Sequence, residues 1–139
     1  MAEATLTEAA FEALEAEANS TMMNAIGERH RFRGEREGEK QHRILLACAD
    51  VLGELNSKRL AFRAFDHTIP EEEKPEIVAV EFTDEAIEWL KEARDGTKGN
   101  LEWLETSCEG ELDYCRREAF LLRVLDRVVG SVEREAVAA

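Results

Sequence analysis

Cys48, Cys108, Cys115 and His42 are the side chains best suited by type to hold a metal or act as a nucleophile. Structural zinc sites draw their ligands from close pairs such as Cys-x-x-Cys or His-x-x-x-His, and no such pair occurs. Cys108 and Cys115 stand seven residues apart on an expected helix, about 10 Å of rise. That exceeds the roughly 7 Å Cα separation a disulfide spans, so they do not bond each other while the helix is intact. A nucleophilic thiol needs a nearby base and a lowered pKa. Cys48 and Cys115 instead fall on apolar helix faces, where burial works the other way. They are expected to pack as small hydrophobes, and no metal or other cofactor is expected.

Other constellations are incomplete or diluted. Glu39-x-x-His42 supplies half of a di-iron carboxylate site, which needs that pair twice; Ala64 precedes His67 and Gly27 precedes His30 at the matching offset. No Gly-x-Ser-x-Gly elbow or phosphate-cradling loop is present, so an enzyme is not expected. Arg29-His30-Arg31-Phe32-Arg33 sets an aromatic among cations, as a phosphate or single-strand contact does, but Glu28, Glu35, Glu37 and Glu39 dilute it. Glu71-Glu72-Glu73 beside Pro70 reads as a solvated loop. Trp89 and Trp103 are core anchors or interface hot spots.

Composition narrows the class further. The 139 residues suit one domain, 1–139, with a core that needs no disulfide or metal. The formal net charge of −13, from Asp+Glu 31 against Lys+Arg 18, argues against general duplex nucleic-acid binding, which needs a positive face. It suits attraction to a basic partner. An odd cysteine count fits a reducing compartment, and no stretch reads as a leader or membrane span, so the expected location is cytoplasmic.

The elements that must position these groups are mostly helical. Thr5-Leu6-Thr7-Glu8 reads as a capping box, followed by Phe11, Leu14, Ala18, Met22 and Ala25 at helical spacing. This predicts a first helix over 6–26, stopped by Gly27. Residues 27–40 read as a polar connector. A second helix starts near Glu39, with Ile44, Leu45, Cys48, Val51, Leu52 and Leu55 inward. Residues 58–65 either continue it, the favoured reading, or alternate as a strand.

Pro70 and Pro75 mark a loop at 66–76, and the β-branched run 77–82 is the clearest strand signal. Thr83 caps a third helix that is expected to stop near Asp95-Gly96. Gly99-Asn100 then turns the chain into a long final helix, with a kink possible near Gly110. Its apolar row from Leu101 to Ala136 covers thirty-five residues in ten steps, a repeat of 3.5. Trp103, Phe120, Leu121, Val124 and Val128 form a second row, so that helix is expected to bury more than one side.

The expected fold is therefore mainly α, a compact antiparallel bundle of about four helices with one short β element near 77–82. A hairpin with 58–65 would pair that strand; otherwise a second copy or another protein must, because unpaired backbone groups are costly to bury. These features point to a non-enzymatic interaction module, a small subunit or adaptor that binds another protein or itself. Its candidate contacts are Arg29, Arg31, Phe32, Arg33, Val78, Val80, Phe82, Trp103, Phe120, Val124 and Val128. One alternative is an acidic inhibitor that imitates nucleic acid, of the kind mobile elements carry, seated in a basic groove. A second is a metal or redox protein using the cysteines and His42.

Overall fold

Ala2, Ala4 and Leu6 are buried while Glu3 and Thr5 are exposed. This period of two sets one face on a core and the other in solvent, and the residues form strand β1 (Ala2–Thr7). Helix α1 (Glu8–Arg31), helix α2 (Arg36–Arg63), strand β2 (Ile77–Phe82), helix α3 (Asp84–Ser107) and helix α4 (Leu112–Ala138) follow. This computed structural model describes residues 2–63, 77–107 and 112–138. The expected loop at 66–76 and the kink near Gly110 lie outside them. The architecture is a mainly α antiparallel bundle carrying one small antiparallel sheet.

The strand at 77–82 is present, but its partner is none of those expected. β2 pairs with β1, with Ala2 opposite Phe82, Ala4 opposite Val80 and Leu6 opposite Val78. Residues 58–63 are the end of α2, so they form no hairpin with it. On the inner face the alanines of β1 stand across from larger side chains of β2, which fills that layer without overpacking. The first helix consequently starts at Glu8 rather than Leu6, and its cap is Thr7, whose Oγ1 accepts the Ala10 N–H at 3.2 Å. Thr5 is committed to the ladder opposite Ala79.

The polar stretch 27–40 is mostly helix. α1 runs through Gly27 to Arg31, and α2 begins at Arg36, leaving only 32–35 as a turn. Glu, Arg and Lys are good helix formers; their abundance here reflects solvent around the helix ends, not lack of structure. The turn is closed by Phe32 N–H to Glu28 O at 2.9 Å and Glu35 N–H to Phe32 O at 3.0 Å. Gly34 takes φ +82, which glycine adopts without steric cost. Gly38 passes so near Phe32 that a Cβ there would sit 2.2 Å from its carbonyl oxygen. Further down the hairpin, Arg59 pairs with Glu15 and lies over the Phe11 ring, 5.6 Å from its centre.

The third helix does not stop at Gly96. It continues through Gly99 to Ser107, with each glycine costing about 1 kcal/mol relative to Ala. Burial of Leu90, Thr97 and Leu104 along the helix offsets that cost. Asn100 caps nothing; its Nδ2 donates to Glu118 Oε2 at 3.0 Å. Eighteen residues of unbroken helix would hold those groups about 27 Å apart. The chain therefore folds back between α3 and α4, and 101–136 is not one helix. The apolar spacing continues from α3 into α4 because the two helices pack on each other across this hairpin.

The core gathers Leu6, Phe11, Leu14, Val51 and Leu55 with Val80, Phe82, Leu90, Leu125 and Val129. The ribbon register carries a direct test. Ala4→Glu places a charge under Val80 and should cost more than about 3 kcal/mol. Thr5→Glu, on the outer face, should stay within about 0.5 kcal/mol; urea unfolding of the two variants measures the contrast.

Candidate functional site

Most of the apolar residues expected to contact a partner are spent inside the chain. Val78, Val80 and Phe82 are 9%, 0% and 1% exposed, and Val124 and Val128 are 6% and 1%. Phe120 is half-buried against the core, with Arg123 5.9 Å from its ring centre. The sheet edges are also partly occupied. Glu3 N–H donates to Glu135 Oε2 at 2.6 Å, and Glu81 N–H donates to Glu54 Oε1 at 3.3 Å. Glu3 and Glu81 are cross-strand partners, so one carboxylate covers the ribbon at that level on each side. The unpaired strand and the many-sided final helix, taken from the sequence as signs of association, are satisfied within one subunit.

Trp103 remains exposed, at 57%. Arg29, Arg31 and Arg33 are exposed and Phe32 is half-buried. They stand at the α1–α2 turn, with Arg31 5.3 Å from the Phe32 ring centre. These two groups belong to different helical hairpins, α3–α4 and α1–α2.

A groove between α2 and α3 was not expected. It encloses about 580 Å³, with Ile44, Ala47 and Trp89 along it, Lys40 and Arg43 toward the start of α2, and Asp50, Glu85, Glu88 and Glu92 on its flanks. Trp89 is 4% exposed, whereas Leu46 at its edge is 50% exposed. The signal was present in the run Ile44-Leu45-Leu46-Ala47-Cys48-Ala49. At about 100° per residue, six consecutive apolar residues cannot all face one core.

A second missed feature is a polar cavity of about 260 Å³ where Glu17 of α1 and Glu118 of α4 meet Thr97 and Asn100 of α3. Burial, and then the Glu118 charge, hold the Glu17 carboxyl above the usual carboxylate range. Burial and then Glu17 push the Cys48 thiol up to about 12. Cys48 therefore stays a thiol near neutrality, which removes its nucleophilic form. Cys115 is half-buried on α4, His42 is exposed on α2, and Cys108 lies outside the described residues. Among the described residues, no three of His, Cys, Asp and Glu gather as a metal site, and no helix is long and apolar enough to cross a membrane.

No family model, curated protein or solved structure gives a significant match to the chain.

Two measurements follow from the polar cavity. A raised folded pKa means the native state binds the Glu17 proton more tightly than the unfolded chain does. The associated stability is complete below the unfolded value of about 4.3 and is lost as pH rises through the folded value. Glu17→Gln should therefore raise the urea midpoint at neutral pH, and the gap should close on acidification. Mass spectrometry after iodoacetamide treatment should find Cys48 unmodified in the native protein and fully modified in denaturant.

Proposed function

We propose that this chain is a non-enzymatic interaction module whose α2–α3 groove receives an amphipathic helix from a partner protein. The carrying observation is the groove itself: an apolar floor ending in a half-exposed leucine, on a subunit that already covers Val78, Val80, Phe82, Val124 and Val128. Helix-in-groove recognition uses apolar anchors at i, i+3, i+4 and i+7. Lys40 to Asp50 spans ten residues of α2, about 15 Å of rise, a seat for roughly three turns of helix.

Charge selects the partner's character. The groove is bordered by two cations against four carboxylates, so a helix with basic residues beside its apolar stripe complements it. Complementary potentials of this kind raise association rates and set register. The Leu46 side chain is the natural anchor, since its exposed area is what docking would remove from water.

The acidic-inhibitor reading keeps one supporting observation. Arg29, Arg31, Arg33, Arg36, Lys40 and Arg43 oppose only Glu35, Glu37 and Glu39 over residues 29–43, a local +3. The rest of the chain therefore carries −16 within the total of −13. A body that acidic suits a basic groove on a nucleic-acid-binding protein.

Affinity capture from the native source, followed by native mass spectrometry, should return a stoichiometric partner. Leu46→Asp should weaken that capture by more than ~10-fold, and Thr5→Glu on the far ribbon face should leave it unchanged. Equal capture by wild type and Leu46→Asp counts against the groove. Capture that nucleic acid competes away, with Leu46→Asp unaffected, favours the acidic inhibitor.

A further inference from the structure

The α1–α2 turn borders an open pocket of about 510 Å³, lined by the exposed Arg29 and His30 of α1, Arg33 of the turn and His42 of α2. Glu39 is the one carboxylate residue among those lining it. From this convergence we propose that the turn is a binding site for a small phosphoanion, a diphosphate or triphosphate group.

Three features carry the assignment. Among the described residues, no carboxylate lies within ion-pair distance of Arg29 or Arg33, although the chain holds 31 acidic residues. Their charge is available to a ligand. Arg29 Nη1 lies 3.2 Å from His42 Nδ1. A guanidinium only donates, so His42 Nδ1 is the acceptor in this contact. That contact joins an α1 cation to an α2 side chain across the pocket. Gly34 and Gly38 complete the wall; Gly34 has φ +82, and Gly38 stands where any Cβ would strike Phe32 O at 2.2 Å. The turn is thereby kept tight, and guanidinium groups recognise phosphate oxygens in bidentate fashion.

Size and surroundings select a small ligand over a polymer. The volume falls in the range of about 300–1,000 Å³ used by small-molecule sites. A nucleic-acid strand leaving the cavity would run over a body carrying −16, and like charge repels it. A single phosphoanion meets Arg29 and Arg33 with Glu39 as the one carboxylate residue among the lining residues.

Isothermal titration of the full chain with pyrophosphate, ATP and sulfate at physiological ionic strength tests this directly. Pyrophosphate and ATP should bind at one site and sulfate much more weakly. An Arg29→Gln/Arg33→Gln double variant with an unchanged circular dichroism spectrum should lose at least ~10-fold in affinity. ATP bound with pyrophosphate silent assigns the site to nucleotides; equal binding of both assigns it to the phosphate chain alone. Absence of heat at millimolar pyrophosphate and ATP overturns the proposal. So does binding that the double variant retains, or binding of single-stranded oligonucleotide without either small ligand. The Leu46→Asp variant should titrate like wild type, which keeps this site separate from the α2–α3 groove.

Discussion

A strand cannot be buried with its hydrogen-bonding groups unmet, and β2 meets that demand with Ala2–Thr7 of its own chain. The paired strands touch all four helices, β1 lying against α1 and α4 and β2 against α2 and α3. The inner faces of β1 and β2 join the core made by α1, α2, α3 and α4, so the ribbon covers apolar surface that two helical hairpins alone would leave open. Glu135 and Glu54 then reach back to outward-facing backbone donors. The ribbon has little left to offer another sheet at that level.

A subunit closed in this way confines its unspent chemistry to particular surfaces. Leu46 and the α2–α3 groove expose apolar area, and the α1–α2 turn concentrates cations. The two lie on successive stretches of the same helix, the turn at the start of α2 and the groove beyond it. Lys40 and Arg43 stand between them, so a partner in the groove would lie close to the charge field of the turn. The cavity at Glu17 and Glu118 is different in kind. It costs stability near neutrality and offers no nucleophile, because the neighbouring Cys48 is held protonated.

Helical class, the strand at 77–82 and the Thr83 cap were legible because each rests on a local rule. Thr83 Oγ1 does accept the Ala86 N–H, at 3.1 Å. The N-terminal strand was not legible in the same way. Ala-Glu-Ala-Thr-Leu-Thr alternates, but its alanines and glutamate are poor strand formers, and Thr5-x-x-Glu8 competes with a helix-start pattern. Only the tertiary partner decides. Gly96 and Gly99 misled for the opposite reason, since packing along α3 overrides their local cost. Val124 and Val128 looked like surplus apolar surface because a helix row does not reveal how many neighbours will cover it. Arg29, His30 and Arg33 were recognisable by type, whereas their convergence with His42 depends on a turn only four residues long.

The ribbon also sets an order of events. Its paired residues lie between 70 and 80 positions apart in the chain, while the helical hairpins close through nearby segments. On the ribosome, Ala2–Thr7 emerges before Ile77–Phe82 and must wait for it, a delay of about 4–15 s at typical synthesis rates. Until then β1 lacks its partner, so the interval between the two strands is when the nascent chain is most open to mispairing.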